Sequence, residues 1–209
     1  MKKSIIITLA LLLMLAMTAC GGGSDSDTGD TGGGEAEKAA ASTKTLAYFN
    51  EYVSDGEYTM EMEMEVEGMP VTTTSAVKGD MMYTKSNTGG MESSMIMKDG
   101  KQYVLDPSSK TCIVMSMDIA ETSEMFAEEA ANYEVAAETG SIDIEGVSYD
   151  YEAFDIEGIT AKYCFDGDEL KYIITSMEGD EYTIKITSLE KGADASLFEI
   201  PGDYTVMEY

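Results

Sequence analysis

The sequence predicts an α+β fold in which one long, coiled antiparallel β-sheet forms a half-open barrel covered by two helices. Segments of alternating polarity recur from about residue 57 to residue 189, and turn residues such as Asp99-Gly100 separate them. Two other segments have a helical pattern. A sheet of about ten strands must coil, and helices on its concave side would cover the apolar face.

The first helix is predicted directly before the strands. Leu46, Phe49 and Val53 follow one another at helical spacing, and Ser42 or Thr43 is a suitable N-cap. A second helix is predicted over residues 118–140, which are rich in Ala, Glu and Met. Its loose apolar stripe consists of Ile119, Phe126, Ala130, Tyr133 and Ala137.

About six strands are predicted between the helices, with turns at residues 68–70, 79–80, 87–90, 99–100 and 106–109. Four more are predicted at residues 141–157, 159–166, 170–177 and 182–189. With the helices they form one predicted domain, residues 43–209, which is long enough for a single core.

The first predicted strand carries methionine at alternate positions. In EYTMEMEMEVE, residues 57–67, the side chains of Tyr58, Met60, Met62, Met64 and Val66 share one face, and glutamates occupy most of the other. Three interpretations remain open: plain core packing, an adaptable lining for a flexible apolar ligand, and thioether binding of Cu(I). The chain has no His to assist copper, so no metal site is predicted. The lining interpretation predicts contacts from Met60, Met62, Met64, Met81 or Met82, Met95 and Met97, with Phe126 and Tyr133 from the second helix.

The N-terminal segment MKKSIIITLALLLMLAMTAC has the features of an export signal. Two lysines precede an apolar run that is shorter than the roughly 20 residues that span a bilayer. The segment resembles a bacterial lipoprotein signal, in which small residues precede a cysteine that receives a diacylglycerol. The resemblance implies a signal peptide at residues 1–19 and lipidation at Cys20, with an ordinary export signal as the alternative. Residues 20–42 are then the lipidated cysteine and a flexible acidic linker, since residues 21–42 have no apolar side chain larger than alanine.

The composition excludes several classes of function. The formal charge is −27, which makes nucleic acid an implausible partner. The chain contains no His and no Arg, so it has no Ser-His-Asp triad, no histidine base and no guanidinium clamp for an anion. We therefore expect a protein that is not an enzyme and needs no cofactor.

Cys112 and Cys164 are the two cysteines of the predicted domain. An exported location would permit a disulfide between them. In a simple meander one strand would separate theirs, which gives about 9.6 Å, beyond the roughly 7 Å Cα limit for a disulfide. Two separate thiols are therefore predicted, pointing outward beside Lys110 and Lys162.

Three segments of the predicted domain are similar to a known family. MKDGKQYVLDPSSKTC, GITAKYCFDGDELKYI and SLFEIPGDY resemble segments of the LolA/LolB-like lipoproteins, an architecture that the LppX and LprG lipid-binding lipoproteins share. The resemblance implies an incomplete β-barrel whose apolar cavity takes acyl chains. The cavity-lining arginine of the lipoprotein carrier has no counterpart in this chain.

Two functions are compatible with these observations. The first is an extracytoplasmic protein of the bacterial cell envelope, held at the membrane by its lipid anchor, that binds a lipid or another apolar ligand in the concave face of the half-barrel. The second is an interaction or sensory module with a solid core, whose outer face or strand edge contacts an envelope protein. A ligand-sized space distinguishes the two, and sequence alone does not determine it.

We expect Cys20→Ala to convert a membrane-bound protein into a released one, because the linker offers no other apolar anchor. Partitioning of the two forms between detergent and aqueous phases measures this. A variant that still enters the detergent phase would show that Cys20 is not the anchor.

Overall fold

The computed structural model describes residues 43–52, 56–116, 136–156, 159–177 and 180–208. The described elements are α1 (Lys44–Tyr52), β1 (Glu57–Val66), β2 (Met69–Lys78), β3 (Met81–Thr88), β4 (Met91–Lys98), β5 (Lys101–Asp106), β6 (Thr111–Ser116), β7 (Glu138–Ile144), β8 (Val147–Ile156), β9 (Ile159–Asp166), β10 (Glu169–Met177), β11 (Asp180–Lys191), a 3-10 helix (Ala195–Phe198) and β12 (Thr205–Glu208).

These strands form one open sheet of 12 strands in the order β12-β6-β5-β4-β3-β2-β1-β11-β10-β9-β8-β7. It consists of two antiparallel meanders, β1 to β6 and β7 to β11, which meet where β1 pairs with β11. The sheet is curled, with α1 on its concave side. The predicted fold class, a long coiled antiparallel sheet forming a half-open barrel, is therefore confirmed. This is also the architecture that the resemblance to LolA/LolB-like lipoproteins implied.

The pairing of β1 with β11 places the methionine face of β1 against aliphatic side chains. Met62 lies opposite Ile186 and Met64 opposite Ile184. Met62 is 2 % exposed, whereas Glu63, the next residue in β1, is exposed. The alternation of faces predicted for this strand is confirmed.

Helix α1 begins where the sequence predicts it. The Oγ1 atom of Thr43 accepts a hydrogen bond from the Leu46 amide at 3.1 Å, so Thr43 is the N-cap. The buried side chains of the helix are Thr45 and Tyr48, and Phe49 is half-buried against the same core. Leu46 of the predicted stripe is also half-buried against this core, so both described residues of the stripe contact it beside the more deeply buried Thr45 and Tyr48. Val53 lies outside the described residues.

A carboxylate on β8 fixes the start of α1 to the sheet. Glu152 accepts hydrogen bonds from the backbone amides of Lys44 and Thr45, at 2.8 and 2.7 Å, and from the Thr45 hydroxyl at 2.7 Å. Two of the helix amides that lack an intrahelical partner are thereby satisfied, and the negative charge lies at the positive end of the helix dipole.

The C-terminal segment covers the convex face of β2 to β6, which the sequence analysis did not predict. Phe198 of the 3-10 helix is buried there, and β12 pairs with β6 in parallel. The Lys98 ammonium donates to the Phe198 carbonyl at 2.5 Å. The buried members of this convex cluster are Ala76, Ile96, Leu105, Cys112, Val114 and Phe198. The sheet thus has packed clusters on both of its faces.

Two predicted boundaries are wrong. Residues 138–140, assigned to the second helix, begin β7, and the predicted strand 141–157 is divided by a turn at Glu145 and Gly146. Both turn residues have positive φ, 54° and 82°, which a two-residue hairpin turn requires. A glutamate in that conformation is unusual, so the pair did not appear as a turn signal. Most of the second predicted helix lies outside the described residues.

Cys112 and Cys164 are free thiols, as predicted, but for a different reason. Seven strands of the sheet order separate β6 from β9, so the predicted meander in which their strands are near neighbours is wrong. Both side chains are buried, Cys112 in the convex cluster and Cys164 beside Tyr172 and Ile174. Burial raises the pKa of the Cys164 thiol to about 11.

We expect Met62→Glu to destabilise the fold by several kcal/mol, because an unpaired charge would enter the core beside Ile186. Glu63→Gln, on the exposed face, should change the free energy of unfolding by less than about 0.5 kcal/mol. Denaturant titration of both variants measures the difference. Equal effects would contradict the assignment of faces.

Glu152→Ala should loosen α1 and destabilise the protein by about 1–3 kcal/mol, because two helix amides and the Thr45 hydroxyl lose a charged acceptor. Near-ultraviolet circular dichroism should weaken in parallel, since Tyr48 packs edge-on against Phe165 with ring centroids 6.0 Å apart. Glu65→Gln, an exposed substitution on β1, is the control and should leave both signals unchanged. If Glu152→Ala had the same free energy of unfolding as the wild type, the hydrogen bonds from α1 to Glu152 would not be what holds the helix to the sheet.

Candidate functional site

The concave face of β1 to β6 is built from rows of side chains that run across the strands. Cross-strand partners in an antiparallel sheet point to the same side, so the pairing register defines each row. The first row contains Tyr58, Val77, Met82, Met97, Gln102 and Met115. The second row contains Met60, Ser75, Thr84, Met95, Val104 and Ile113. Both rows are uncharged.

The lysines of the same strands point to the convex side, where each has a partner. Lys78 contacts Glu57 at 3.9 Å, Lys85 contacts Glu92 at 2.8 Å, Lys101 contacts Glu208 at 3.6 Å, and Lys98 donates to the Phe198 carbonyl. The one charged residue of β1 to β6 in concave register is Asp106, at the end of β5. Hydrogen bonds from Ser108 and Ser109 hold the pKa of its exposed carboxyl at about 2. Within β1 to β6, charge is thus confined to the convex side and the rim.

We call the concave face of β1 to β6 the methionine surface. Its two ends are covered to different degrees. Near the β1–β11 pairing, Phe49 of α1 packs edge-on against Tyr163 with ring centroids 5.7 Å apart, and Met60 and Met62 are buried in the same cluster. Across β4 to β6, apolar side chains in both rows are half-buried or exposed. We call these residues the β4–β6 strip: Met95, Met97, Val104, Ile113 and Met115.

The predicted lining residues are therefore divided among three environments. Met60 and Met62 are core, Met64 and Met97 are half-buried against that core, and Met95 is half-buried outside it; Met97 and Met95 both belong to the β4–β6 strip. Met81 was assigned to the wrong face: it packs against the convex cluster, and Met82 occupies the concave position. The choice between Met81 and Met82 follows from the turn at residues 79–80, which places Met81 opposite Lys78 and Met82 opposite Val77. Phe126 and Tyr133 lie outside the described residues, as does Cys20.

Two buried hydroxyls on this face have no hydrogen-bond partner in the described structure. They are the phenol of Tyr58, 1 % exposed, and the hydroxyl of Thr84, 4 % exposed. Burial raises the pKa of Tyr58, so the phenol stays protonated. A buried polar group left without a partner costs about 1–3 kcal/mol. Sequence reasoning missed both residues, because alternation identifies a face and does not show whether a hydroxyl is satisfied.

Three other uncharged polar side chains on the concave face of β1 to β6 have partners. The hydroxyls of Thr73 and Ser86 lie 3.4 Å apart. The Gln102 side-chain amide donates to the sulfur of Met95 at 2.7 Å, and a thioether is a weak acceptor. The face therefore combines adaptable apolar side chains with a few neutral donors, a composition typical of sites for small apolar ligands.

Within the described ranges, no group of three or more His, Cys, Asp or Glu side chains is placed to hold a metal ion. No helix in the described chain combines the length and apolarity needed to cross a membrane.

The fold and this face together define an open half-barrel whose concave surface carries uncharged rows across β1 to β6. No protein-family profile matches the chain, and no curated protein matches it. Among solved structures, an uncharacterized conserved protein from Thermus thermophilus aligns with a TM-score of 0.53 at 8 % identity, covering 78 % of this chain and 96 % of that one. At that identity the likeness shows a shared fold alone.

Two further solved structures align over much of the chain with lower scores. LprF from Mycobacterium bovis has a TM-score of 0.41 at 10 % identity, covering 72 % of this chain and 91 % of that one. MucB in complex with MucA(peri) has a TM-score of 0.40 at 11 % identity, covering 77 % of this chain and 61 % of MucB.

Proposed function

We propose that this protein binds a lipid or another molecule with an acyl chain on the concave face of its half-barrel, and that it does so outside the cytoplasm, held at a membrane by a lipid on Cys20. The observation that carries the proposal is the β4–β6 strip, an uncharged apolar surface that continues outward from a closed core. In this proposal the protein binds and performs no chemistry.

The β4–β6 strip favours a ligand because its side chains are only partly removed from water. Val104 and Ile113 are half-buried and Met115 is exposed, whereas Met60, in the same row as the first two, is fully buried. An acyl chain lying along the strip would bury the remaining apolar area, worth roughly 25 cal/mol for each Å². Unbranched methionines can repack around chains of different shape, which suits a flexible ligand.

The distribution of charge supports a protein that stands away from a membrane surface and is held there by its anchor. The chain has a formal charge of −27, and the charged side chains of β1 to β6 lie on the convex side or at the rim. Anionic headgroups repel such a surface. The uncharged concave face of β1 to β6 is then the part of the half-barrel suited to a lipid tail.

One observation favours the alternative function, contact with an envelope protein. On the convex face of β7 to β10, Ile142, Ile144, Tyr149 and Tyr151 are half-buried around buried Cys164, Tyr172 and Ile174. Within the described chain this cluster contains residues of β7 to β10 alone, and β7 is an edge of the sheet. A partner strand could add to that edge and cover the tyrosines.

The first function predicts that Met95→Leu and Met97→Leu narrow the range of acyl chains bound, because branched leucine repacks less freely than methionine. Each substitution should cost less than about 1.5 kcal/mol of stability. Met60→Leu is the matched control, since Met60 lies in the closed core and should affect stability alone. Displacement of a fluorescent apolar probe by acyl chains of increasing length measures the range.

A wild-type chain that binds no such probe at micromolar concentration would contradict ligand binding. In that case Tyr149→Ser, which alters the convex aromatic cluster, tests the alternative function, contact with an envelope protein. The measurement is whether the variant fails to retain a protein that the wild-type chain retains from membrane extracts. If Met60→Leu and Met95→Leu narrowed the range of bound acyl chains equally, the placement of the ligand on the β4–β6 strip would be contradicted.

A further inference from the structure

We propose that Tyr58 and Thr84 recognise the polar end of the ligand, and that this end is an uncharged group with oxygen acceptors, such as an ester. The inference rests on the proposed function, because it concerns a ligand of the same concave face. It is carried by the two buried hydroxyls without partners in the described structure and by the uncharged rows of β1 to β6 in which they lie.

The phenol of Tyr58 is not explained by packing. Its ring belongs to the core cluster that contains Tyr48, Met60 and Val77, and a phenylalanine would fill the same space. The hydroxyl adds a donor that finds no partner within the described chain. A group of that kind weakens the fold unless a bound molecule accepts its hydrogen bond.

Thr84 presents the same pattern in the neighbouring row. It lies between Ser75 on β2 and Met95 on β4, so it borders the β4–β6 strip. Valine has nearly the same shape and is equally suited to a strand, yet this position carries a hydroxyl without a partner. β1 and β3 are separated by one strand, and Thr84 lies two residues along β3 from the position in register with Tyr58, which places the two backbones about 12 Å apart.

A third donor, the Gln102 amide, lies within the strip between Met97 and Met115. The Gln102 amide donates to the Met95 sulfur, and an ester oxygen is a stronger acceptor than a thioether. An acyl chain along the β4–β6 strip would thus meet one neutral donor at the border of the strip, Thr84 on β3, and one within it, Gln102 on β5. Each of these groups can donate to a carbonyl oxygen.

The same surroundings disfavour an ionised head. The lysines of β1 to β6 in the described structure point away from this face or lie in turns, and the chain has no arginine. Lys191 on β11 lies opposite Tyr58, but its ammonium is exposed and contacts Glu51 at 3.7 Å. A carboxylate drawn into this face would lose its hydration without gaining an unpaired cation, whereas an ester loses little. The net charge of −27 adds long-range repulsion of anions. The geometry therefore selects an esterified or otherwise neutral amphiphile over a free fatty acid.

The test compares three ligands of similar length with the full chain: methyl laurate, laurate and 1-dodecene, each displacing an uncharged fluorescent dye. We expect methyl laurate to bind at least about tenfold more tightly than laurate. Tyr58→Phe and Thr84→Val should each weaken methyl laurate about three- to tenfold, the range of one neutral hydrogen bond, and leave 1-dodecene unchanged. The melting temperature without ligand should rise by about 2–4 °C in each variant, because an unsatisfied buried hydroxyl is removed.

Tyr83→Phe and Thr74→Val are the matched controls, since Tyr83 on β3 and Thr74 on β2 both point to the convex side. They should change neither affinity nor selectivity. If wild type binds methyl laurate and 1-dodecene but Tyr58→Phe and Thr84→Val bind methyl laurate as wild type does, this inference is overturned and the proposed function stands. If wild type binds neither compound, the proposed function itself fails. Tighter binding of laurate than of its ester would overturn the selection of a neutral head.

Discussion

The pairing of β1 with β11 is the interaction on which the rest of the molecule depends. Each meander is joined internally by short hairpins, but the core cluster draws Met60 and Met62 from one meander and Phe165 and Ile184 from the other. That cluster exists only where the two meanders meet. The pairing connects residues 58–64 with residues 184–191, so the contacts that create the core are among those with the largest sequence separation in the chain.

This junction also decides which part of the methionine surface is closed. Helix α1 directly precedes β1 and is held to β8 by Glu152, so it lies over the junction and its aromatic side chains bury the β1 methionines. The methionines that share the concave face farther from the junction, on β4, are only half-buried. Methionine therefore has two roles on this surface. It fills the core near the junction of the two meanders, and it lines a partly open face farther from that junction.

Local features of the sequence predicted local structure well. Asp99-Gly100 forms its turn with positive φ at both residues, 53° and 70°, and Thr43 caps α1. The faces of Met62 and Glu63 follow from simple alternation. These features are predictable because neighbouring residues determine them, through turn conformation, capping and the period of a strand.

The long-range features were not predictable in the same way. Nothing local in β1 specifies β11 as its partner, and the apolar residues near Phe198 do not reveal that they cover the convex face. The candidate site shares this limit. Alternation identified methionines on a common face, but burial of Tyr58 without a partner depends on what the other meander and α1 place around it.

The large sequence separation between β1 and β11 has a consequence for folding during synthesis of the chain. Synthesis proceeds from the N-terminus, so β1 emerges well before the strand that completes its second edge, and long-range β pairing of this kind is slow to form. Meanwhile an open edge rich in methionine could pair with another copy of itself. A β1–β1 pair would bring rows of glutamate face to face, whereas β11 presents Lys185 opposite Glu63. The acidic side of β1 thus acts during biogenesis, by discouraging nascent chains from pairing with one another until the correct strand arrives.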